Sequence, residues 1–441
     1  MASGARIHEP VSIESQPRNV REMTAAQELK PVFRELLGDP LPVGVRFWDG
    51  SRLGPADPRA TAVVNSPDAL RRILYMPNDV GIGRAFVNGD LDLEGDVFAA
   101  LEALSAAAPE NGHFGPRAWA HLVRAAVRLG VIGRPLPPPP EEARLGGRRH
   151  SRKRDAAAIS HHYDVSNEFY RLLLGPTMAY SCARFTSADA SLDEAQVAKF
   201  DLICRKLGLR PGLRLLDVGC GWGGMVLHAV ENYGVDAVGI TIADAQRDLA
   251  QKRVAEAGLA HRAAIRLQDY RTVVSEPGSY DAVSSVGMFE HVGRSQMAEY
   301  FSVLHGALRP RGRLLNHAIS TPEGARLGRN TFMGRYVFPD GELQDVGIVI
   351  RAMQDAGFEV RDVESLREHY AMTLRKWVAN LVANWDQAVS LVGERRARVW
   401  RIYLVGSAVS FERGDIAVHQ VLGVKPEAGV SGMPLTRAGY V

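Results

Sequence analysis

The chain has 441 residues, of which 46% are hydrophobic and 23% are charged, and its formal net charge is +3 at pH 7. This length exceeds that of a typical single domain, and the composition excludes a globally disordered chain. So small a net charge does not by itself indicate nucleic-acid binding, and no apolar run is long enough to span a bilayer.

The N-terminal third of the chain divides at a proline-rich stretch. Residues 1–28 are polar and lack periodicity, so we expect a loose leader there. Residues 29–134 mix strand-like pieces with a helical stretch and predict a small α+β domain. Consecutive prolines then favour an extended spacer, and the basic segment (residues 144–154) follows with six Lys or Arg and no acid. We predict a linker over residues 135–154; its basic segment is either solvated or attracted to anionic lipid.

Short apolar runs alternate with helical stretches from residue 213 onwards. This alternation predicts an α/β domain over residues 155–425, built on a doubly wound, mostly parallel sheet. Residues 321–345 are irregular and rich in aromatics, which indicates either a loop packed on the sheet or a lid over an acyl chain. A long helical region is expected from about residue 370 to 413, and a loose tail over residues 426–441. The predicted strands are 213–218, 237–242, 265–267, 282–286 and 313–317.

The cysteines and the N-terminal residues indicate the cellular compartment of the protein. Cys182, Cys204 and Cys220 fit no zinc spacing, and their odd number argues against a disulfide framework. The first 30 residues carry charges throughout and lack the apolar core of a signal peptide. We therefore expect a cytoplasmic protein without a metal, whose contact with a membrane is peripheral.

A glycine-rich loop carries the strongest local signal. Asp217 to Gly224 reads D-x-G-x-G-x-G-G and lies between a predicted strand and a predicted helix. The glycines allow a tight turn and close approach of the backbone to a ligand. The acid two residues before Gly219 favours S-adenosylmethionine, whose charged amino acid end suits a nearby carboxylate, and a dinucleotide is the alternative.

Two further strand ends are candidates for cofactor binding. The second strand ends at Thr241 without the usual acid, so either Thr241 and Gln246 supply the polar contacts or Asp244 turns inward. Asp269 and Tyr270 follow the third strand, where ligands of such sheets bind. A carboxylate there can accept from an adenine amino group and an aromatic ring can stack on it, although Asp269 could instead cap a helix.

Several separate motifs now support a family resemblance. Residues 155–415 resemble the cyclopropane-fatty-acyl-phospholipid synthases, which include mycolic acid cyclopropane synthases, and residues 80–91 are similar more loosely. The high Arg and Ala content, with residues 47–50 and 165–170, looks like the long actinobacterial members. The motifs that carry the resemblance are His162–Asn167, Tyr180–Cys182, Asp217–Gly224, Gly239–Ile242, Gln268–Tyr270, Gly287–Gly293 and Tyr336–Pro339.

The resemblance implies a cofactor, a bound ion and their residues. S-adenosylmethionine would be held at Tyr180, Ser181, Asp217, Gly219, Gly221, Thr241, Gln246, Asp269 and Tyr270. Bicarbonate would lie beside the reacting alkene in a cage of Cys182, Glu290, His317, the Ile319 backbone and Tyr370. Taken singly, Cys182, His317 and Tyr370 could each be a packed core residue, and Glu290 could be a helix cap or a structural pairing partner. The resemblance also implies that the N-terminal domain contributes to lipid binding and to a homodimer.

The expected reaction is methyl transfer to the double bond of an unsaturated phospholipid acyl chain. Loss of a proton from the bridging carbon gives a cyclopropane. A hydride shift gives a methylene branch, which a separate reductase could turn into the methyl branch of tuberculostearic acid; both products remain open. The alternatives are a soluble small-molecule methyltransferase and a non-catalytic binding protein. A nucleic-acid partner is not expected, because the Asn/Asp-Pro-Pro-Tyr/Phe motif is absent.

Overall fold

The computed structural model describes residues 23–107, 115–143, 146, 154, 165–322 and 330–440. Its N-terminal part is a four-stranded sheet, in the order β2-β1-β3-β4, packed with helices. The elements of this part are α1 (Ala25–Leu37), β1 (Gly44–Arg46), β2 (Arg52–Leu53), β3 (Ala60–Val64), α2 (Asp68–Tyr75), α3 (Asp79–Val87), β4 (Leu91–Gly95), α4 (Val97–Ala107) and α5 (Pro116–Arg128).

The first described helix begins earlier than the sequence predicts. The Thr24 side chain accepts from the Gln27 amide while the Gln27 side chain accepts from the Thr24 amide, a reciprocal cap that starts α1 at Ala25. Leu29 on this helix is fully buried in the core of the domain. The prediction of a loose leader through residue 28 is therefore wrong at its end, and residues 1–22 lie outside the described part.

The C-terminal part is built on a seven-stranded sheet in the order β10-β11-β9-β8-β5-β6-β7. Its elements are α6 (Asn167–Leu174), α7 (Leu192–Leu207), β5 (Arg214–Val218), α8 (Gly224–Tyr233), β6 (Asp236–Thr241), α9 (Asp244–Glu256), β7 (Ala263–Leu267), β8 (Tyr280–Val286), α10 (Met297–Ala307), β9 (Leu308–Ser320), α11 (Phe332–Tyr336), α12 (Val346–Asp355), β10 (Glu359–Ser365), α13 (Arg367–Ala383), α14 (Trp385–Val392), α15 (Glu394–Arg413) and β11 (Ala417–Val424).

The sheet confirms the predicted doubly wound α/β class. Strands β5, β6, β7, β8 and β9 pair in parallel, and β11 runs antiparallel between β9 and β10. The chain passes from β5 outward through β6 to β7 and then returns to build β8 and β9 on the other side of β5. The carboxyl ends of β5 and β8 therefore flank the switch point of the sheet, where ligands of such folds bind.

The two parts are joined by ion pairs that lie out of solvent. Glu142 is 5% exposed and accepts from Arg84 of α3 at 2.8 Å and from Arg335 of α11 at 2.7 Å. Arg154 of the basic segment pairs with Asp340. The end of the predicted linker is therefore packed between the parts. The other Lys and Arg of the basic segment lie outside the described residues.

Two predictions about the C-terminal region need correction. The long helical region is three helices, interrupted at Asn384 and at Gly393, whose φ of 78° suits glycine. The predicted loose tail is anchored at its end: most of residues 426–438 are exposed, but Arg437 pairs with Asp362 of β10 and Tyr440 is 5% exposed. None of the helices in the described ranges is long and apolar enough to cross a membrane.

Candidate functional site

A cavity of about 150 Å³ opens at the carboxyl ends of the parallel strands. Residues after β5, β6, β7 and β8 line it, together with residues 178–181 and one side of α7. All of the positions predicted to hold the cofactor line this cavity: Tyr180, Ser181, Asp217, Gly219, Gly221, Thr241, Gln246, Asp269 and Tyr270. The structure thus brings together residues that are spread over some 90 positions of the sequence.

The glycine-rich loop needs its glycines. Gly219 and Gly221 have φ of 78° and 53°, a region that residues with a Cβ rarely adopt. A Cβ on Gly219 would also lie 2.8 Å from the Met288 side chain. The amides of Gly219 and Cys220 both donate to the Ile240 carbonyl at 2.9 Å, which ties the loop to β6. The loop therefore presents bare backbone to the cavity at the start of α8.

Asp217 ends β5 as a buried carboxyl group. It is 3% exposed, and its Oδ1 accepts from the Ser284 hydroxyl at 2.6 Å. Burial raises the pKa of Asp217 to about 6, although the Ser284 hydrogen bond and the nearby Lys199 oppose the rise. The carboxyl group is thus held rigidly at the edge of the cavity, where it can meet a cationic ligand group.

Lys199 is a residue of the cavity that the sequence analysis missed. It is 1% exposed, its ammonium group donates to the Ser181 hydroxyl at 2.9 Å, and it lies 4.0 Å from the centre of the Phe200 ring. Burial lowers the pKa of Lys199 to about 7, which Cys182 and Asp217 partly counteract. The available signal was its position four residues from the buried Ala195 and Ile203, on the apolar face of α7.

The end of β6 resolves one of the sequence alternatives. Thr241 and Gln246 are both buried, and the Thr241 hydroxyl donates to Gln246 Oε1 at 2.9 Å. Asp244 faces outward instead, with a side chain that is 71% exposed and paired with Arg247. Thr241 and Gln246, rather than Asp244, therefore supply the polar groups at this point of the cavity.

Asp269 acts as a cap in this structure. It precedes a short 3₁₀ turn (Tyr270–Ser275), and its Oδ1 accepts from the Arg271 amide at 2.9 Å. Its two oxygens also accept from the Arg271 guanidinium at 2.8 and 2.7 Å. The capping interpretation thus describes its present contacts, and binding of an adenine amino group by Asp269 stays a prediction.

Of the predicted cage residues, His317 and Ile319 lie on β9, and Glu290 bonds to this strand. Glu290 follows β8 and is flanked by Met288 and His291, which line the cavity. Its Oε1 accepts from the Ile319 amide at 2.7 Å, so this amide holds Glu290 rather than being open to an ion. Burial raises the pKa of Glu290 to about 7. Among the described residues nothing hydrogen-bonds to Glu290 Oε2, which is buried.

His317 presents a second unsatisfied atom, and it lies two residues before Ile319, which holds Glu290. Its Nδ1 lies 3.2 Å from Gln420 Nε2, whereas Nε2 is buried and has no hydrogen-bond partner within the described ranges. Burial lowers the pKa of His317 to about 3, so the imidazole is neutral at physiological pH. The carbonyl of His317 accepts from the amide of Gly287, a cavity residue, at 2.9 Å.

Cys182 and Tyr370 meet at one backbone carbonyl. The Cys182 thiol lies 3.6 Å from the Leu366 oxygen, to which the Tyr370 amide also donates at 3.1 Å. The Leu366 amide in turn donates to Val418, which pairs with Ile319 across β11 and β9. Burial raises the pKa of Cys182 far above its usual value, so it stays a neutral thiol. Backbone contacts through Leu366 and Val418 thus connect Cys182 and Tyr370 to Ile319, which holds Glu290, while His317 lies two residues before Ile319 on β9.

Aromatic side chains connect the cavity to the cage. The Tyr180 hydroxyl lies 2.7 Å from that of Tyr403, and its ring packs 5.2 Å from Trp377 and 5.8 Å from Trp400. The irregular aromatic segment joins this cluster, because the Phe338 ring lies 5.7 Å from that of Tyr403. His162 to Asp164, which belong to one motif of the resemblance, lie outside the described residues.

Comparison with known proteins identifies the family. Residues 150–421 match the model described as mycolic acid cyclopropane synthetase. This chain belongs to that family. It is 41% identical over 417 residues to a probable fatty acid methyltransferase of Pseudomonas putida, which covers 93% of this chain and 98% of the relative. It is 42% identical over 409 residues to a probable fatty acid methyltransferase of Mycobacterium tuberculosis, covering 89% and 94%.

Solved structures of the family agree with this membership. A cyclopropane synthase of Mycobacterium tuberculosis aligns with a TM-score of 0.58 and 35% identity, covering 61% of this chain and 98% of its own. A mycolic acid cyclopropane synthase complexed with SAH and CTAB aligns with the same TM-score and coverage at 38% identity. The chain is thus an S-adenosylmethionine-dependent methyltransferase of the cyclopropane synthase type, as the sequence predicted.

Proposed function

We propose that the enzyme transfers the methyl carbon of S-adenosylmethionine to the cis double bond of an unsaturated phospholipid acyl chain. The observation that carries this proposal is two unsatisfied buried atoms, Glu290 Oε2 and His317 Nε2, on residues next to the lining of the cofactor cavity. Glu290 stands between the lining residues Met288 and His291 in the sequence, and the His317 carbonyl accepts from the lining residue Gly287. The two long relatives named as fatty acid methyltransferases support an acyl substrate. The packed, largely apolar surroundings suit an olefin better than a polar metabolite.

The cavity residues fit S-adenosylmethionine, which when bound supplies an electrophilic methyl carbon. The buried Asp217 faces the cavity where it can accept from the amino group of the cofactor. Thr241 and Gln246 offer hydrogen-bonding groups for its ribose, and Tyr270 offers a ring for its base. Bound there, the cofactor would supply its methyl carbon to one alkene carbon and leave as S-adenosylhomocysteine, and the residues of the site would have to shield the positive charge left on the other alkene carbon.

The cage residues fit bicarbonate, which when bound supplies a small general base for the proton that the product must lose. With a pKa near 7, Glu290 can be neutral and donate through Oε2 to an anion, while Ile319 holds its other oxygen. Neutral His317 can donate through Nε2. The Ile319 amide would thus contribute by holding Glu290 in place, and not by donating directly to the ion. Cys182 and Tyr370 complete the wall, with the Tyr370 ring fixed 4.6 Å from Phe411.

Exclusion of water is the other task of the protein. A carbocation in contact with water would be quenched as an alcohol, so the site must be dry. Trp377 is fully buried, Trp400 is 3% exposed, and both pack on Tyr180. Their ring faces can also stabilise positive charge. The product is a cyclopropane if the bridging carbon loses the proton, or a methylene branch, the tuberculostearic acid precursor, after a hydride shift.

We also propose a peripheral, cytoplasmic location at anionic membrane lipid, a homodimer, and a separate reductase if the product is branched. The basic segment supports the membrane contact by charge. Replacing Arg148, Arg149, Arg152 and Lys153 by glutamine should weaken binding to phosphatidylglycerol vesicles at low salt, measured by cosedimentation. If vesicle binding is unchanged, these residues form a solvated linker and do not contact the membrane.

Proton NMR of the product tests the reaction itself. Purified enzyme is incubated with S-adenosylmethionine, bicarbonate and vesicles of dioleoyl-phosphatidylglycerol, with dipalmitoyl-phosphatidylglycerol as the saturated control. The proposal predicts ring or methylene protons in the unsaturated lipid only, and a rate that falls when bicarbonate is removed. Methylation of the head group, or equal reaction of both lipids, would contradict it.

A further inference from the structure

Two buried charged groups of opposite sign line the cofactor cavity. Lys199 on α7 is 1% exposed, and Asp217 at the end of β5 is 3% exposed. Each shifts the pKa of the other, but among the described residues no ion pair joins them. Their hydrogen bonds go instead to neutral hydroxyl groups, those of Ser181 and Ser284. Because burying an ion without a counterion in contact is costly, the arrangement suits a ligand that brings one charge of each sign into the cavity.

The ammonium group of Lys199 determines what the Ser181 hydroxyl group can do. An ammonium group only donates, so the Ser181 oxygen is the acceptor of their 2.9 Å hydrogen bond and its own proton is left for another acceptor. Ser181 also lines the cavity and is 7% exposed. The centre of the Phe200 ring lies 4.0 Å from the ammonium nitrogen, and the ring attracts the cation but supplies no counterion. Lys199 and Ser181 together thus offer N–H and O–H donors to an anionic group.

The chemistry of the cofactor decides which group this anion is. S-adenosylmethionine carries an α-ammonium group, a sulfonium ion and a single anionic group, its α-carboxylate, whereas its ribose and adenine are neutral. Its ammonium and carboxylate groups are attached to the same carbon, so two protein charges of opposite sign beside one cavity can contact both. Asp217 is the acceptor for the ammonium group, and the donors of Lys199 and Ser181 remain for the carboxylate. Hydrogen bonds between ionised groups are also the stronger ones.

We propose that Lys199 and the Ser181 hydroxyl group that it orients bind the α-carboxylate of S-adenosylmethionine, while Asp217 binds its α-ammonium group. The two charges of the cavity then recognise the zwitterionic end of the cofactor. The bound carboxylate offsets the cost of burying the ammonium group, which an apolar side chain at this position of α7 would not incur. The inference rests on the dependence on S-adenosylmethionine and is independent of the lipid that the enzyme modifies.

Titration calorimetry with the full chain and without lipid tests this proposal. The two ligands are S-adenosylhomocysteine and its decarboxylated analogue, which differ only in the carboxylate. We expect Lys199→Met to raise the Kd of S-adenosylhomocysteine about 30-fold and Ser181→Ala to raise it about fivefold, since hydrogen bonds to a charged group are lost. Neither variant should change the Kd of the analogue. Lys252→Met, whose wild-type side chain is 68% exposed and does not line the cavity, should match wild type with both ligands.

The outcomes distinguish carboxylate binding from other roles of the lysine. A rise in Kd that is equal for both ligands would mean that Lys199 only maintains the shape of the cavity, and it would overturn the proposal. An unchanged Kd of S-adenosylhomocysteine in Lys199→Met, together with a raised bicarbonate requirement of the reaction, would assign the ammonium group to that ion and would overturn it as well. If Lys199→Met does not fold, Ser181→Ala decides by the same comparison. Because the titrations contain no lipid, a failure of the proposed reaction on phospholipid leaves their result valid.

Discussion

Lys199 offers a quantitative test, because an ammonium group is held 1% exposed beside the cofactor cavity. Burial lowers its pKa from 10.5 to about 7. At pH 7 the Lys199 amine is therefore fully protonated in the unfolded chain but only about half protonated in the folded protein. At about 1.4 kcal/mol for each pKa unit, this difference costs the folded state about 4 kcal/mol at pH 7.

We predict that Lys199→Met stabilises the fold and impairs its function. Loss of the hydrogen bond to Ser181 offsets the gain by about 1 kcal/mol, so the free energy of unfolding should rise by about 3 kcal/mol at pH 7. Without the cation the pKa of Asp217 rises further, and its carboxyl group keeps the hydrogen bond from Ser284. Cofactor affinity should fall because Ser181 loses the group that orients it.

The direction of this pKa shift fixes how the stability of the fold depends on pH. The folded pKa lies below the unfolded value, so between about pH 7 and pH 10.5 the unfolded chain binds more protons. Wild-type stability from this group therefore increases as the pH rises through that window. At pH 9 the cost has fallen to about 2 kcal/mol, so the advantage of methionine should fall to about 1 kcal/mol.

Urea unfolding followed by circular dichroism at pH 7 and pH 9 measures this advantage, and titration calorimetry measures the cofactor Kd. Lys252→Met is the control, because that side chain is 68% exposed, and it should change neither quantity. A Lys199→Met protein that is less stable than wild type at pH 7, or equally shifted at both pH values, would refute the reasoning.

Three further predictions concern the cage and the junction between the two parts. Glu290→Gln and Cys182→Ser should lower turnover, measured by single-turnover assay, far more than cofactor affinity, measured by calorimetry. Glu299→Gln is the control, because Glu299 is exposed. Equal losses of turnover and affinity would contradict the assigned roles. The bicarbonate concentration for half-maximal rate should increase as the pH rises above about 7, where Glu290 becomes an anion, and a concentration that stays the same below and above this pH would contradict the role of Glu290 as a donor. Glu142→Gln should lower the free energy of unfolding by about 3 kcal/mol, because Arg84 and Arg335 lose their buried counterion. A urea midpoint equal to that of wild type would speak against that ion cluster.

The parallel core of the fold could be predicted because its strands are short, buried and bounded by glycine. Leu215 and Leu216 of β5 are fully buried, and such a run signals itself in the sequence. Strand β10 (Glu359–Ser365) gives no such signal, since four of its seven residues are charged and only two are apolar. It is a strand because β11 pairs with it, more than 50 residues further along the chain. Tertiary pairing of this kind leaves no local pattern.

The site shows the same division. The glycines of the loop indicate a backbone with positive φ, and the ends of the predicted strands indicate the edge of the sheet. The positions that line the cavity could therefore be predicted from the sequence. The amide of Ile319 bonding to Glu290, and the burial of Lys199, arise from contacts between distant segments. A lysine or glutamate in the sequence does not show whether it faces water. These contacts therefore became visible only in the fold.

Mass spectrometry of acyl chains after reaction with methyl-labelled cofactor tests the central claim most directly. Purified enzyme receives the labelled S-adenosylmethionine, bicarbonate and phosphatidylglycerol with a single cis double bond in each chain. The account predicts that acyl chains gain one labelled CH₂ group and that Glu290→Gln, although it binds the cofactor, yields almost none. Acyl chains that all keep their original mass with the wild-type enzyme would contradict it.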